Sequence, residues 1–478
     1  MPTSRIEGNM MRSVTGFGFR LLLSIVLMPR NLCAQTTAPV ESSISVSKDF
    51  DCASDVTFEV PEPDHIVVTL GDMVNFDGWL FRLDGVAGKT VRIDFKANRK
   101  MNKWKTLNPV FAPATDFGDL AAYADGKNDK TAKATNGVTV PEAVSQNWRY
   151  MTNTKLVSNT LFTVTQTFTD NSVWIANRVP YTAAFNEKYV RSLRDNPLAK
   201  VIHIGESHNH HPLIAVQIGA DPSTHPTVVI AGGEQAIQFD SMWCTQGAIE
   251  FLLGNTEAAK SLREQCCFLI IPMLDPDGVI RNHMNIVGAF TSDAHSESAI
   301  AWANFFQQWV NSGRRLDVVL EMHNVQSLEA PHLSRAYIEN EKGRGPLADA
   351  LNEAVVKRFR MTRLDYSPAI QVDSLMATRF GGWLTHNFGP ILIIYEINAQ
   401  APVRHLDLPE LQNTGGLFAM AAGEFLSSDA GQSLLKMVDE IRSKRKVNYV
   451  DNPATQPAKN AIEDEALLKA NPRANEGL

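Results

Sequence analysis

The sequence lacks any apolar run approaching the ~20 residues that a helix needs to cross a bilayer, so an integral membrane span is not expected. It also lacks a charge excess. Its 45 Lys and Arg against 52 Asp and Glu leave a net charge of -7, which gives no basic surface for a nucleic-acid partner. Cysteine is scarce, five residues in 478, and no Cys-x-x-Cys spacing occurs, which argues against a disulfide scaffold or a thiolate metal site. There is no Gly-x-Ser-x-Gly elbow and no matching triad for a serine or cysteine hydrolase. No internal repeat is visible. An apolar fraction of 44% and a charged fraction of 20% are ordinary for a globular protein, and the length is enough for two or three domains.

The first residues are more informative. Arg12 and Arg20 precede a short apolar core, Leu21-Leu22-Leu23-Ser24-Ile25-Val26-Leu27-Met28, and Leu32-Cys33-Ala34 places a small residue before Gln35. This layout predicts a signal peptide over residues 1–34, cleaved after Ala34, and export to a periplasm or to the medium. Arg30, Asn31 and Leu32 before Cys33 do not fit a lipoprotein signal. Removal of Cys33 leaves Cys52, Cys244, Cys266 and Cys267, for which three disulfide pairings and buried free thiols both stay open.

Residues 35–54 read as a polar linker. From 55 to 182, short runs such as Ile66–Leu70, Trp79–Leu83 and Thr90–Phe95 are punctuated by Gly71-Asp72, Asp84-Gly85 and Ala87-Gly88, which predicts a small antiparallel β-sandwich domain. From 186 to 430 the texture changes. Thr227–Ala231, Phe268–Pro272, Leu316–Leu320 and Ile391–Tyr395 are apolar without alternation, as strands buried on both faces are. Helical patterns over 243–254, 296–311, 345–360 and 415–427 separate them, predicting an α/β domain with a mixed sheet and flanking helices. Residues 431–478 are expected to form a helical or disordered tail.

Each buried strand is followed by polar groups. Gly232-Gly233-Glu234-Gln235-Ala236-Ile237-Gln238 follows the first and Asp275-Pro276-Asp277-Gly278 the second; His323-Asn324 follows the third, and Glu396 ends the last. Such sheets place their active sites beyond the strand C-termini.

These segments, with Ile204-Gly205-Glu206-Ser207 and Pro212–Gly219 before them, resemble the zinc metallocarboxypeptidases of the carboxypeptidase A and cytosolic carboxypeptidase group. The N-terminal part is similar to the β domain of the cytosolic subgroup. It carries Trp79-Leu80-Phe81-Arg82, Asn108-Pro109-Val110-Phe111, Trp148, Phe168, Trp174-Ile175-Ala176 and Pro180-Tyr181 in that order, and the resemblance spans roughly residues 60–425. It implies a site in which a His-x-x-Glu pair and a later His hold zinc, leaving one position open, while a Glu on the last strand serves as general base. Carried over residue by residue, His323 falls on the later histidine and Glu396 on the catalytic glutamate. The His-x-x-Glu positions read Gln235 and Gln238, degenerate ligand positions, since an amide is a poor zinc ligand beside imidazole or carboxylate.

The family also clamps the substrate's terminal carboxylate with an Asn-Arg pair. Here the region reads Arg281-Asn282-His283-Met284-Asn285, and Arg281 is the one candidate for that clamp. Zinc is therefore expected to be weakly held or absent. The resemblance implies an exported protein that acts on or binds the C-terminal ends of peptides or glycopeptides, catalytically impaired. The alternative is an active zinc carboxypeptidase with substituted ligands.

Each candidate has a structural reading beside the functional one. His323 either ligates metal or hydrogen-bonds within the cleft, and Glu396 is either a base or a structural acid. Glu234 is adjacent to Gln235, but successive side chains of an extended segment point to opposite faces, which argues against Glu234 as a replacement ligand. His283 and His295 lie near the cleft by sequence order. His208-Asn209-His210-His211 reads as a solvated loop, Asp275 and Asp277 as turn residues, and Trp243, Trp302 and Trp309 as core.

Overall fold

A computed structural model describes residues 43–48, 52–53, 56–70, 78–97, 108–114, 133–135, 138–140, 147–281, 283, 285–291, 296–324, 334–339, 344–364, 366, 369–372, 376–401 and 404–444. The expected signal peptide, His295 and most of the 115–145 loop lie outside these residues.

The N-terminal part contains β1 (Ser45–Ser47), β2 (Val56–Glu62), β3 (His65–Leu70), β4 (Leu80–Asp84), β5 (Thr90–Ala97), β6 (Val110–Pro113), β7 (Lys133–Thr135), β8 (Val138–Val140), β9 (Arg149–Tyr150), β10 (Thr154–Ser158), β11 (Leu161–Thr167) and β12 (Ser172–Ala176). Two five-stranded sheets form, in the orders β1-β4-β12-β6-β9 and β10-β11-β5-β3-β2, and β7 pairs β8. The sheets share one core. Phe81, Leu83, Val173 and Ile175 come from the first, and Ile66, Val68, Ile93, Phe95 and Val164 from the second. The second sheet has exposed positions on its outer side, as in β5, whereas the first is buried on both, with Leu80, Val110, Ala112, Trp174 and Ala176 joining the core of the larger part. The pairing is not purely antiparallel, however, because β3 and β5 run parallel. The intervening β4 is placed in the other sheet, so the chain crosses over and re-enters in the same direction.

The larger part follows with α1 (Ala183–Ser192), β13 (Ala199–Glu206), β14 (Pro212–Gly219), β15 (Thr227–Gly232), α2 (Phe239–Leu253), α3 (Glu257–Gln265), β16 (Cys267–Ile271), α4 (Pro276–Arg281), α5 (Glu297–Asn311), β17 (Val318–Asn324), β18 (Ser334–Glu339), α6 (Gly345–Met361), β19 (Ile370–Val372), α7 (Phe380–Phe388), β20 (Ile391–Ile397), β21 (Gln400–Ala401), β22 (Arg404–His405), α8 (Leu408–Leu426) and α9 (Asp429–Lys444). Eight strands make one mixed sheet, β13-β14-β16-β15-β17-β20-β18-β19. Its centre, β16-β15-β17-β20, is parallel, and β14 and β18 pair antiparallel on either side.

The central strands are buried along their whole length because helices cover both faces. Val228, Ile230, Leu320, Met322, Ile393 and Tyr395 point to one face, where residues of α2, α6 and α8 complete the core. Val229, Ala231, Val319, Leu392 and Ile394 point to the other, where α5 and α7 supply Trp302, Phe306, Phe380 and Trp383. This division decides which strand-end groups can meet.

Helix α2 lies close against α8. A Cβ on Gly247 would sit 1.9 Å from the Gln412 carbonyl oxygen, and one on Gly415 would sit 1.9 Å from that of Cys244. Backbone contact of this kind needs glycine on both helices. Helix α8 begins with a capping box between Asp407 and Glu410, and α7 stops at the left-handed Gly389 before Pro390.

The N-terminal strands join this domain through buried polar bonds. The Gln400 side chain donates to the carbonyls of Asn108 (2.9 Å) and Asn177 (2.6 Å), Tyr150 donates to the Leu406 carbonyl (3.0 Å), and Arg178 pairs with Asp240. Cys52, Cys244, Cys266 and Cys267 are buried free thiols, and burial pushes the last three up to about 12. Trp243, Trp302 and Trp309 are core residues, each with its indole N–H bonded to a carbonyl.

Candidate metal centre

Strand β15 ends in Gly232, and the chain turns at Gly233, whose φ of 73° is in the left-handed region. A Cβ at Gly232 would meet the Thr245 hydroxyl at 2.8 Å, so the strand end is pressed against α2. Beyond this turn the chain bends through Glu234 and Gln235 into a tight turn closed by the Gln238 N–H on the Gln235 carbonyl at 3.0 Å, and the two side chains meet different partners.

Gln235 and Gln238 face the N-terminus of α2. The Gln238 amide nitrogen donates to the Gln235 side-chain oxygen, and the Gln238 oxygen accepts from the Asn324 backbone N–H at 2.9 Å. Asn324 returns a bond, its side-chain oxygen accepting from the Ser241 N–H at 2.9 Å. Both glutamines are buried in this amide network, which needs no ion to complete it.

Glu234 projects toward the other sheet face. Glu321 and His323, two residues apart on β17, share that face. The Nε2 atom of His323 lies 3.4 Å from Glu321 Oε1 and 3.8 Å from Glu234 Oε2. The remaining oxygen of each carboxylate is held by the start of α7: the Phe380 N–H donates to Glu234 Oε1 at 3.0 Å and the Gly381 N–H to Glu321 Oε2 at 3.2 Å. Helix N-termini favour negative charge, so two acids placed there are partly compensated. Arg379 adds a cation, its Nη1 being 3.9 Å from Glu234 Oε2. Gly381 is required for this approach, since a Cβ there would lie 2.3 Å from Glu321 Oε2.

The three groups are at most 3% exposed. Burial, reinforced by the Glu321 charge and opposed by Arg379, His323 and the Phe380 N–H, pushes the Glu234 carboxyl up to about 7. Burial likewise raises Glu321 to about 7 against Arg379 and the Gly381 N–H. It lowers His323 to about 4, with Glu234 opposing and Arg379 assisting. The imidazole is therefore neutral near pH 7, the form in which it ligates metals.

Glu396 lies beside His323 in strand register. On its other side β18 places Arg335 directly across, and the Arg335 Nε donates to Glu396 Oε2 at 3.0 Å, with a second bond from Nη2. Both side chains are buried. A carboxylate fixed to a guanidinium is a poor proton acceptor, because taking up a proton would leave the cation unpaired.

The other candidates fall elsewhere. Arg281, at the end of α4, is exposed and donates to the Asn209 side chain at 3.0 Å. Exposed His283 contacts Asn285. His208 and His210 are exposed against Glu297 and Glu206, as expected for a solvated loop. Asp275 accepts from the Gly278 and Asn285 N–H groups at 2.9 Å each, and Asp277 accepts from Ser207 and Asn209, so both organise turns.

The sequence reading did not single out Glu321, Arg379, Gly381 or Arg335. Glu321 was detectable: two residues before His323 on a buried strand, it had to share that histidine's face. Arg379, Gly381 and Arg335 come from distant segments, and no local signal ties them to the strand ends.

Gln235 and Gln238 bond to each other and to Asn324 and offer no convergent carboxylate or imidazole donors for zinc. Among the described residues, one group has a metal-ligating composition and convergent atoms: Glu234, Glu321 and His323, within 4.8 Å of one another.

Residues 187–325 match the family model for zinc carboxypeptidases. Mouse cytosolic carboxypeptidase 1 is 27% identical over 139 residues, which cover 26% of this chain and 11% of that protein. Bovine cytosolic carboxypeptidase 3 is 24% identical over 132 residues, 25% of this chain and 13% of that protein. The chain thus spans only about a tenth of the length of these curated relatives. Among solved structures, a metallo-carboxypeptidase from Burkholderia cenocepacia superimposes with a TM-score of 0.63 at 14% identity, covering 80% of this chain and 99% of that one. A metallo-carboxypeptidase from Pseudomonas aeruginosa gives a TM-score of 0.61 at 14% identity over 82% of this chain and all of the other.

Proposed function

With a zinc carboxypeptidase segment over residues 187–325 and a carboxypeptidase-like α/β fold as premises, we propose that this chain binds the C-terminal ends of peptides or glycopeptides and is impaired in their hydrolysis. One observation carries the reading: the groups that would conduct hydrolysis are committed to other partners. Gln235 and Gln238 are locked in an amide network, and Glu396 is neutralised by Arg335. Where bound, zinc in such a site supplies a Lewis acid and lowers the pKa of water. No donor set for it exists at the two glutamines, and the glutamate that would accept the proton is in a buried ion pair.

The binding role falls to exposed groups. Arg281, held at the end of α4 by Asn209, presents a guanidinium suited to a terminal carboxylate. The N-terminal strands act as a β-sandwich platform fixed to the α/β domain. The apolar core before Ala34 supports export, to a periplasm or to the medium.

The test is a paired assay on one preparation. Release of C-terminal residues from a peptide panel is measured with and without added zinc, and binding of fluorescent peptides is measured with free and amidated C-termini. The expected result is no turnover, with binding that requires the free carboxylate and weakens in Arg281→Ala. Turnover abolished by Glu396→Gln would overturn the impairment. Binding indifferent to amidation would overturn the ligand class.

A further inference from the structure

We propose that Glu234, Glu321 and His323 form a three-ligand site for one divalent first-row transition cation, zinc being the probe of choice, on the face of the sheet opposite the Gln235–Gln238 pair. The proposal does not depend on peptide binding.

The donor atoms converge, and the nearest cation, Arg379 Nη1, is 3.9 Å from Glu234 Oε2, beyond hydrogen-bond distance. Glu234 Oε2, Glu321 Oε1 and His323 Nε2 are buried, and none has a hydrogen-bond partner among the described residues. Three orphaned polar atoms facing one another are costly, and a cation satisfies all three together. Ligands about 2.1 Å from a tetrahedral centre lie about 3.4 Å apart. The Glu321–His323 separation of 3.4 Å and the Glu234–His323 separation of 3.8 Å are close to that edge.

The outer contacts also have the form that metal sites show. Each carboxylate has one oxygen oriented by a backbone N–H of α7 and the other directed at His323. Hydrogen-bonding the outer oxygen fixes the rotamer and leaves a defined donor. Two carboxylates and an imidazole suit zinc, manganese, ferrous iron or cobalt, and the absence of thiolate argues against copper(I).

The nearby cation sets a second, directional expectation. Arg379 competes with a metal for Glu234 Oε2, so replacing it with an apolar side chain of similar length should strengthen metal binding.

The experiment uses the chain without a histidine tag, stripped with chelator and titrated with zinc and, separately, with cobalt. Metal content, the cobalt visible spectrum and the shift in Tm are read together. The expected result is one ion per chain and a tetrahedral-type or five-coordinate cobalt spectrum. Glu234→Gln, Glu321→Gln and His323→Ala should each weaken binding by more than the about 10- to 100-fold typical of losing an outer-shell contact. Arg379→Met should tighten it, an outcome that misfolding cannot imitate. The triple variant His208→Ala, His210→Ala, His211→Ala removes the histidines of the loop before β14 and should leave the ion in place.

Folded protein that takes up no metal would overturn the site and leave three groups that share protons. So would an ion that survives Glu234→Gln, or one lost with the loop histidines. None of these outcomes alters the peptide assay, so failure here is distinguishable from failure of the proposed function.

Discussion

The buried pair between Arg335 and Glu396 offers the sharpest test of whether the last-strand glutamate is structural. Arg335→Met keeps the volume and length of the side chain and removes its charge. Glu396 would then be left buried on β20 without the guanidinium that donates to its Oε2. Breaking a buried pair from one side costs about 3–5 kcal/mol, because the surviving charge is uncompensated. About 330 residues are described, and at an unfolding entropy near 60 °C of roughly 2.1 cal/mol/K per residue they contribute ~0.7 kcal/mol/K. The expected loss in Tm is therefore about 4–7 °C, checked by calorimetry at neutral pH. The double variant Arg335→Met, Glu396→Gln should recover at least half of it, since an amide buried in the same place carries no charge. A single-variant loss below ~1 kcal/mol, or a double variant as unstable as the single, would refute the reasoning. Either result would mean that Glu396 does not depend on Arg335, and would return it to consideration as a general base.

Two further outcomes follow from the fold. Gly247→Ala should lower Tm by the equivalent of about 1–3 kcal/mol or more, because its Cβ would overlap the Gln412 carbonyl and force α2 and α8 apart; an unchanged Tm would contradict that packing. For Asp94, burial pushes the carboxyl up, but Arg92, Thr163 and His65 outweigh it and leave the pKa below its ordinary value. A lowered folded pKa contributes stability above the unfolded pKa and loses it as pH falls through the folded one. Asp94→Asn should therefore cost about 1–3 kcal/mol near pH 7 in urea unfolding, with the difference from the unsubstituted chain closing below ~pH 4. A pH-independent difference would contradict it.

The fold was legible where apolar residues run unbroken or recur at helical spacing. The buried strands read at 227–231, 268–272 and 391–395 appear at Thr227–Gly232, Cys267–Ile271 and Ile391–Ile397, and the helix read at 345–360 appears at Gly345–Met361. Boundaries slipped where tertiary contact extends an element. Helix α2 starts at Phe239 rather than 243 because Asn324 accepts from the Ser241 N–H in its first turn. Helix α8 starts at Leu408 rather than 415 because Asp407 and Glu410 form a capping box before the apolar stripe becomes regular. The parallel β3–β5 pair was not legible, since no local signal distinguishes a return to the same sheet from a hairpin.

The candidate site shows a different limit. Alternation, which argued against Glu234 as a ligand, assumes an extended segment, whereas Glu234 and Gln235 lie in a bend, and it does not say which of the two faces holds His323. The structure puts His323 on the face of Glu234 and Glu321, and Asn324 on the face of the glutamines. The two faces then differ in what they require. On the α2 side, amides meet amides and a backbone N–H, and every partner is neutral. On the α7 side, two carboxylates and an imidazole converge around unbonded atoms, with only two backbone N–H groups and one distant guanidinium to offset them. The two bonded glutamines call for no cation on the first face, and the second face does not depend on them. Buried acids whose charge is only partly offset are costly groups for a core to hold, and a cation between Glu234 and Glu321 would offset them. That both acids remain, each with one oxygen pinned by α7 and the other aimed at His323, is the physical reason to look for an ion there.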